Sequence, residues 1–349
     1  MKDNVKVIIW GFGAMGSGMA QMLTEKKGVE IVGAIVRETN ANYGKDMYQV
    51  LGVERGDRPE VVFQSVDEVI KPQAADVVMI GTDSFTADSM DKMRLVLENK
   101  MNVITTAEEM AYPQAQSPEL AQELDELAKA NGVTILGTGI NPGHIMDSLV
   151  LMMTGCMSRV DHILSRRVNS LSPFGKTVMH EQGIGMEVDD FNAKKERGEM
   201  SGHVGFPESI SMIADGLGWK LDKWEQQMEP IVTEVDRKSP HGFAKAGQVA
   251  GVSMTAQGYV DGEVKINMEH PQQIEPEQVG VTTGDYVIIK GYPNINLLNS
   301  PEVEGGIGTI AMCVNMIPHV INARPGLKTM LDLPIPRAIM GDMRDMIEE

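Results

Sequence analysis

The sequence of 349 residues predicts an α/β protein, with an N-terminal doubly wound parallel sheet and a second α+β domain whose sheet is mainly antiparallel. Three observations support this fold. Short apolar runs alternate with helical stretches up to about residue 140, the segment GFGAMG follows the first run, and the pattern changes to period two after about residue 146. We expect one domain at 1–145, completed by a C-terminal helical segment at 305–349, and a substrate-binding and oligomerisation domain at 146–304.

The first domain contains five nearly continuous apolar runs, which are typical of strands buried on both faces of a parallel sheet. They are VKVIIW (5–10), EIVGAIV (30–36), DVVMI (76–80), NVITT (102–106) and VTILG (133–137). Between them, apolar residues recur at helical spacing, as at Met90, Met93 and Leu97. This alternation predicts right-handed crossover units.

The second domain shows the alternation of half-exposed strands. In VSMTAQGYV, Val252, Met254 and Ala256 alternate with polar residues, and Asp261-Gly262 before VKINM is a hairpin signal. We also expect one helix over PGHIMDSLVLMMTG (142–155) and another over PESISMIADGLGW (207–219). A last helix, GIGTIAMCVNMIPHVINA (306–323), is expected to pack on the first domain. Its predicted apolar face comprises Ile307, Ile310, Ala311, Val314, Ile317, Val320 and Ile321.

Composition excludes several classes of protein. The net charge of −18 disfavours nucleic acid and anionic membrane surfaces as partners. Cys156 and Cys313 are far apart and lack metal-ligand spacing, so we expect no disulfide framework, no metal site and a cytoplasmic location. No apolar run approaches the length of a membrane span, and the first residues lack the pattern of a secretory signal.

The glycine-rich segment predicts a dinucleotide site. Gly11, Gly13 and Gly16 match G-x-G-x-x-G between a buried strand and a helix, the setting in which this motif binds a pyrophosphate. The first glycine permits the turn, the second lets the backbone approach the phosphates, and the third allows close packing of helix on strand. Together with Phe12, Ala14 and Met15, these residues are the predicted binding turn.

The end of the second strand bears on the choice of cofactor. Arg37 would pair with the 2′-phosphate of NADP, whereas Glu38 could accept a hydrogen bond from the ribose 2′-OH of NAD. Both cofactors stay open, with NADP favoured. An exposed arginine without a ligand is the structural alternative for Arg37.

Several segments together resemble a known family. GFGAMG, GAIVRE, DVVMIGTDSF, NVITTAEEMAYP, GTGINPGHIMD and TIAMCVNMIPHVINARPGLKTMLDLPIP resemble the 2,4-diaminopentanoate dehydrogenases, whose N-terminal domain is of the dihydrodipicolinate reductase type. The resemblance covers essentially the whole chain. It implies NAD(P)-dependent oxidative deamination of 2,4-diaminopentanoate at carbon 4, giving 2-amino-4-oxopentanoate and ammonia, within ornithine fermentation.

Two other functions are weighed against this one. The first is another reductase or dehydrogenase of amino-acid metabolism, of the dihydrodipicolinate reductase or homoserine dehydrogenase type. Dihydrodipicolinate reductases carry a histidine pair where this sequence reads RRVNSLSPFGKTVMHEQ (166–182), which argues against that substrate. The second is a non-catalytic NADP sensor, which would bind the dinucleotide without turnover.

Removal of hydride from an amine carbon requires proton handling and groups that bind the charged ends of the substrate. In an open α/β sheet these groups follow the carboxyl ends of the strands. The candidates for the nicotinamide side are Gly81, Thr82, Thr106 and Asn141, and the candidates for catalysis are Glu109, His144, Lys176 and His180. Lys176 would bind the substrate carboxylate and His180 would shuttle a proton, both from a Gly/Pro-containing loop.

Each candidate also has a structural interpretation. Asn141 could be a helix N-cap before Pro142 at the first helical position, and Glu109 could favour the start of a helix as acidic residues do.

Arg166 and Arg167 lie on a predicted strand and point to opposite faces. A homodimer or homotetramer through the second domain's sheet is the expected assembly.

Overall fold

The computed structural model describes residues 3–200 and 202–348. In that part of the chain, fifteen strands form, and they are numbered in chain order. They are β1 (Val5–Trp10), β2 (Val29–Ile35), β3 (Phe63–Gln64), β4 (Val77–Ile80), β5 (Asn102–Thr105), β6 (Thr134–Gly137), β7 (Arg159–Ser170), β8 (Leu221–Val232), β9 (Arg237–Lys238), β10 (Phe243–Ala244), β11 (Val249–Val260), β12 (Glu263–Gln273), β13 (Gly284–Tyr292), β14 (Ile295–Asn299) and β15 (Gly326–Lys328).

The same described residues form eleven α-helices. They are α1 (Ala14–Thr24), α2 (Met47–Leu51), α3 (Val66–Val69), α4 (Thr86–Glu98), α5 (Pro118–Asn131), α6 (Ser148–Thr154), α7 (Lys176–Glu181), α8 (Val188–Glu196), α9 (Phe206–Gly216), α10 (Gly305–Asn315) and α11 (Ile317–Asn322). No helix of the described part is long and apolar enough to cross a membrane.

The chain divides into two compact units. The first comprises Met1–His144 and Gly305–Glu349, and the second comprises Ile145–Glu304. The first is therefore built from two separate stretches of sequence. Each unit has its own sheet.

The first unit is a parallel sheet of seven strands in the order β15-β6-β5-β4-β1-β2-β3. The four residues of β4 and the four of β6 are all buried, because helices cover both faces of a doubly wound sheet. All five predicted strands are present, and the predicted fold class is confirmed. The strands are parallel, so their carboxyl ends meet at one edge, to which β1, β4, β5 and β6 contribute their following loops.

The C-terminal helical segment differs from the prediction. Two helices, α10 and α11, replace the single one, and they meet at Met316 with Pro318 in the first turn of α11. Ile307 is 62% exposed, so its predicted place on the buried face is wrong. The rest of the segment does pack within the first unit: a side-chain carbon added at Gly18 of α1 would overlap Ile310 of α10.

The second unit is a six-stranded sheet in the order β14-β13-β7-β12-β11-β8. The β7–β12 pair is parallel and the other pairs are antiparallel, so the sheet is mixed but mainly antiparallel. Asp261 and Gly262 both have positive φ, 52° and 74°, which is the geometry of a two-residue hairpin turn. The hairpin predicted at this dipeptide is confirmed by the β11–β12 pairing.

One face of this second sheet is buried. Along β11, Val252, Met254 and Ala256 are buried while alternate residues are partly or fully exposed. Helix α9 covers this face, and a side-chain carbon added at Gly258 of β11 would lie 2.7 Å from Ile210 of α9. The helix predicted at 207–219 is thus present as α9.

Candidate active site

The glycine-rich turn links β1 to α1 at the carboxyl edge of the first sheet. Gly11 has φ +91°, a conformation that favours glycine, and its N–H donates to the carbonyl of Ile35 at 3.0 Å, which ties the turn to β2. A side-chain carbon added at Gly16 would overlap the backbone oxygen of Gly11. Helix α1 can therefore approach the turn only because residue 16 is glycine.

Gly13 leaves the start of α1 open. It is the N-cap residue of α1, with extended backbone (φ −80°, ψ −161°), and no side chain caps the helix. A side-chain carbon added at Gly13 would have no heavy atom of a described residue within 4 Å, apart from its own chain neighbours and helix. The first backbone N–H groups of a helix form a binding site for anions, so this open end fits a pyrophosphate.

Neighbouring residues fix the turn. The ring of Phe12 meets the ring of Phe63 edge to face, with centroids 4.5 Å apart. Ala14 and Met15 are the first residues of α1. Gly81, which follows β4, donates its N–H to the carbonyl of Trp10 at 2.9 Å. The residues predicted to bind the cofactor at 11–16 and 81 thus adjoin one another.

Thr82 and Asp83 organise the start of α4. Thr82 Oγ1 donates to Asp83 Oδ2 at 2.6 Å, and Lys92 forms an ion pair with the same oxygen. Burial acts to raise the pKa of Asp83, but the hydrogen bonds from Lys92 and Thr82 outweigh it and leave this pKa below its ordinary value. Asp83 is therefore a charged anchor of the loop.

Arg37 and Glu38 follow β2 and are both exposed. Within the part of the chain that the structure describes, the Arg37 guanidinium has no hydrogen bond or ion pair to a protein group, which leaves its donors available. Its backbone oxygen accepts a hydrogen bond from Asn40 at 2.8 Å and so shapes the loop. A free guanidinium beside the turn is what binding of a 2′-phosphate requires.

Two adjacent acids, Glu108 and Glu109, lie in the 3₁₀ helix Glu108–Ala111 after β5. Glu109 Oε2 accepts a hydrogen bond from the backbone N–H of Thr86 at 2.8 Å, and its own N–H donates to Ser84 at 3.1 Å. Burial raises the pKa of the Glu108 carboxyl above its ordinary value, and a hydrogen bond with Ser84 only partly offsets this. Sequence reasoning selected Glu109 and missed Glu108. Thr106, beside them, donates its N–H to Ile80 at 3.0 Å.

The loop after β6 corrects one prediction. The bond Asn141–Pro142 is cis and the next helix, α6, begins only at Ser148 with Asp147 as its cap. Asn141 is therefore not a helix N-cap, and the helix predicted from residue 142 is wrong over its first six positions. Both amide atoms of Asn141 are shielded from solvent and have no hydrogen-bond partner among the described residues. An amide in that state can bind a polar ligand. His144, partly buried, ends this stretch of the first unit.

Lys176 and His180 belong to the second unit. They lie on α7 and not in a loop, which corrects the prediction, and both side chains are exposed. Met179 between them is buried against Leu171, Ala244, Ala250 and Ile274, and this contact orients the helix. The two candidates face solvent within their own unit.

The second unit also contains a cluster of polar side chains on the buried face of its sheet. This inner polar cluster comprises Arg167, Asn169, His203, His270, Gln272 and Asp285. Arg167 forms a buried ion pair with Asp285, and it also donates to the carbonyl of Val303 at 2.5 Å. Asp285 Oδ2 in turn accepts from the N–H of Val303 at 2.9 Å. The two buried charges thus neutralise each other and are held by backbone groups.

The two histidines of the cluster are neutral. Their rings meet edge to face, with centroids 4.8 Å apart, and His270 Nδ1 lies 2.9 Å from the carbonyl oxygen of Arg167. Burial lowers the pKa of His203 to about 3, with a smaller contribution from the charge of Arg167. Burial, His203 and Arg167 lower the pKa of His270 well below its ordinary value. His203 Nε2 is shielded and has no partner among the described residues.

Sequence reasoning found only part of this cluster. The prediction that Arg166 and Arg167 point to opposite faces is confirmed, since Arg166 is exposed beside Glu269 and Arg167 is 2% exposed. The period-two pattern of β7 could have added Asn169 to the same face. His203 lies outside regular structure, so no periodicity marks it. Among the described residues, no group of three His, Cys, Asp or Glu side chains could hold a metal ion.

Two family models match the chain. The model of the dihydrodipicolinate reductase N-terminus matches residues 5–136, and the model of the 2,4-diaminopentanoate dehydrogenase C-terminal domain matches residues 144–349. The glycine-rich turn lies in the segment that the first model matches, and the inner polar cluster lies in the segment that the second model matches. The expected dinucleotide-binding fold is therefore supported independently of the geometry.

Individual relatives agree. The chain is 65% identical to a 2,4-diaminopentanoate dehydrogenase of Acetoanaerobium sticklandii, over 99% of this chain and 98% of the relative. It is 24% identical to an amine dehydrogenase of Streptomyces virginiae over 96% and 98% of the two chains. The structure of an amine dehydrogenase from Mycobacterium smegmatis superposes with a TM-score of 0.85 at 27% identity, over 97% and 98% of the two chains. The protein is thus an NAD(P)-dependent oxidoreductase, and it belongs to the 2,4-diaminopentanoate dehydrogenase family.

Proposed function

We propose that the enzyme oxidises 2,4-diaminopentanoate at carbon 4 with NADP or NAD, and that it prefers NADP. Amine, water and oxidised dinucleotide give 2-amino-4-oxopentanoate, ammonia, reduced dinucleotide and a proton. One observation carries the proposal: the chain is 65% identical, over 99% of its length, to a relative named 2,4-diaminopentanoate dehydrogenase. We further propose that the reaction serves ornithine fermentation in the cytoplasm.

The cofactor, when bound, supplies the hydride acceptor. The open N-terminus of α1 at Gly13 would hold the pyrophosphate through backbone N–H groups. Arg37 would pair with the 2′-phosphate, and this contact is the basis of the preference for NADP. Gly81, Thr82, Thr106 and Asn141 would line the ribose and nicotinamide, with the unpartnered amide of Asn141 as the hydrogen-bonding group.

Glu108 is assigned as the general base. An amine must lose its proton before its nitrogen can assist hydride departure, and a carboxylate with a raised pKa accepts a proton more readily at neutral pH than an ordinary one. Once it has released this proton to solvent, the same carboxylate can take the proton of the water that attacks the imine. Glu109, which the sequence predicts as a candidate for catalysis, holds the first turn of α4 through Thr86 and is assigned as a positioning residue.

His144, Lys176 and His180 stay predictions. His144 would assist proton transfer, Lys176 would bind the substrate carboxylate, and His180 would relay a proton to solvent. The side chains of Lys176 and His180 on α7 are exposed, which is compatible with such contacts. A homodimer or homotetramer through the second unit's sheet is likewise proposed, because only one face of that sheet is buried while Tyr286 and Ile288 on the other are partly exposed.

A substrate panel tests the function. Purified enzyme should reduce NADP rapidly with 2,4-diaminopentanoate and release one ammonia per NADPH. Homoserine and simple 2-amino acids should give negligible rates. Reduction with homoserine, or reductase activity on a cyclic imine without activity on the diamino acid, would favour the alternative dehydrogenases. Tight NADP binding with no turnover on any amine would favour a sensor.

A further inference from the structure

A groove lies in the first unit at the opposite edge of its sheet from the glycine-rich turn. It has a volume of about 510 Å³, which is within the range of small-molecule sites. It lies where the end of α1, the start of β2, α2 and the loop after α2 meet. The seven residues of β2 separate it from Arg37 by about 20 Å, at the usual rise of a strand. This amino-edge groove is lined by Leu23, Glu30, Ile31, Tyr48, Arg55, Arg58 and their neighbours.

The floor of the amino-edge groove is apolar and contains one phenol. Leu23, Ile31 and Tyr48 are each only 2–3% exposed. The Tyr48 hydroxyl makes no hydrogen bond with a described residue, yet it is not among the polar atoms that are fully shielded, so it opens into the groove. A buried phenol usually has a partner for its O–H. The hydroxyl of Tyr48 is therefore available to a ligand.

Arg58 supplies a fixed positive charge beside this phenol. Its Nη1 donates to the carbonyl of Glu54 at 3.1 Å, and its Nη2 donates to the carbonyl of Thr24 at 2.8 Å. Its Cζ lies 5.8 Å from the centroid of the Tyr48 ring. Both partners are neutral carbonyls, and no carboxylate of the described chain pairs with Arg58. A guanidinium has five N–H donors, so the donors that Arg58 does not use can bind an anion.

Glu30 supplies a negative charge to the same groove. Glu30 is half-buried, and in the part of the chain covered by the structure its carboxylate has neither a hydrogen bond nor an ion pair. Burial raises the pKa of Tyr48, the charge of Arg58 lowers this pKa and the charge of Glu30 raises it, so both charges act on the phenol. Arg58 and Glu30 thus lie near one hydroxyl without neutralising each other.

The whole lining is balanced in charge. Three basic side chains border the groove, and so do three acidic ones: Lys26, Arg55 and Arg58, with Glu30, Glu54 and Asp57. A ligand with a single charge would meet as many repelling as attracting groups. A ligand with one charge of each sign can place each against its opposite.

We propose that the amino-edge groove binds a free α-amino acid with an apolar side chain, at a site separate from the active site. Arg58 and the Tyr48 hydroxyl donate hydrogen bonds to the carboxylate, and Glu30 accepts one from the ammonium. The apolar side chain of the ligand packs on Leu23 and Ile31.

Three five-carbon ligands test the assignment. They are 2-aminopentanoate, which carries both charges, pentanoate, which carries only the carboxylate, and 1-aminopentane, which carries only the ammonium. Isothermal titration uses enzyme saturated with NADPH, because the reduced dinucleotide accepts no hydride and no turnover occurs. 2-Aminopentanoate should bind saturably with a Kd of about 1 mM or lower. The other two should bind at least about tenfold more weakly, the usual effect of losing hydrogen bonds to a charged group.

Variants then locate the site. Tyr48→Phe should weaken binding of 2-aminopentanoate by about tenfold and leave the urea unfolding midpoint unchanged, because the hydroxyl has no partner among the described residues. Glu30→Gln should bring the Kd values of 2-aminopentanoate and pentanoate to within about threefold of each other. Tyr292→Phe, which alters a 68% exposed tyrosine of the second unit, is the matched control and should change neither Kd. The Kd of NADP should stay the same in all three variants.

The outcomes decide the proposal. Absence of saturable binding of 2-aminopentanoate would overturn it. Binding that is unaltered in both Tyr48→Phe and Glu30→Gln would place the ligand elsewhere and would also overturn it. Pentanoate bound by the wild type as tightly as 2-aminopentanoate would indicate a site for anions and contradict the role of Glu30. If Tyr48→Phe lowers the unfolding midpoint, the result with Glu30→Gln decides.

Discussion

The backbone oxygen of Gly11 lies against the α-carbon of Gly16, so that a side-chain carbon at position 16 would overlap it. The turn and the first turn of α1 therefore touch through bare backbone. Gly13, between them, faces open space. Glycine is thus required at the three positions of the motif for different physical reasons, and mutations can distinguish these reasons.

Alanine substitutions should separate packing from binding. Gly16→Ala should destabilise the fold by about 3 kcal/mol or more, because backbone atoms cannot move aside as a flexible side chain could. Gly13→Ala should change the free energy of unfolding by only about 1 kcal/mol, the usual effect at an N-cap. It should nevertheless weaken dinucleotide binding by about tenfold or more, because the added methyl group occupies the space of the pyrophosphate. Urea unfolding and NADPH fluorescence titration measure the two effects. Unchanged NADPH affinity in Gly13→Ala would contradict the placement of the pyrophosphate.

Arg37 should control the choice between the two dinucleotides. Arg37→Ala should raise the Kd of NADP by about 10- to 100-fold through loss of a charge-assisted contact, with little change for NAD. Arg55→Ala provides a control. Arg55 is also exposed, and it borders a groove that is lined in part by Val29 and Glu30 at the amino end of β2. Isothermal titration with each dinucleotide gives the comparison. Equal losses for NADP and NAD would exclude a contact with the 2′-phosphate.

Glu108 should determine the pH dependence of the rate. A base works in its ionised form, so kcat/KM should rise with pH through a pKa that lies above the ordinary carboxyl value. Glu108→Gln should lower kcat by about 10²-fold or more and remove that limb of the profile. Glu109→Gln should act more mildly, because an amide oxygen can still accept the hydrogen bond from Thr86. A profile that survives in Glu108→Gln and disappears in Glu109→Gln would reverse the assignment.

Stability should fall in mild acid because of the buried histidines. The pKa of His203 is lowered to about 3 in the folded protein, so between about pH 3 and the ordinary value near 6.5 the unfolded chain binds more protons. The free energy of unfolding should therefore decrease as the pH falls below about 6.5, by about 1 to 2 kcal/mol from His203 at pH 5. His203→Gln should reduce this decrease, as measured by urea unfolding at pH 5 and 7.5. An identical decrease in the variant would show that other groups cause it.

Most of the fold follows from local pattern. Five strands of the parallel sheet are nearly continuous apolar runs, whereas β3 and β15 have only two and three residues and were not predicted. Asp261-Gly262 specifies a turn that only such residues adopt easily. The C-terminal segment is harder to predict from the sequence, because its apolar residues fit one long helix. Pro318 starts a new helix after Met316, and Ile307 lies near the beginning of α10, where one side remains exposed. A periodic pattern does not show where a helix has a neighbour to cover it.

The site was only partly predictable. The glycine motif has a fixed relation between sequence and geometry, so its placement could be inferred. Which of the two acids, Glu108 or Glu109, has a structural role depends on which carboxylate accepts the hydrogen bond from the N–H of Thr86. Thr86 is distant in sequence, so the sequence alone does not distinguish them. Likewise, Asn169 and Gln272 become neighbours only through the pairing of β7 with β12. Long-range register of this kind leaves no signal in a single sequence.

The most direct test of the central claim follows a hydrogen atom. Enzyme, NADP and 2,4-diaminopentanoate carrying deuterium at carbon 4 should give deuterated NADPH, unlabelled 2-amino-4-oxopentanoate and one ammonia, as measured by mass spectrometry. Deuterium retained in the product, or label reaching NADPH from carbon 2 in the corresponding isotopomer, would contradict oxidation of the amine at carbon 4.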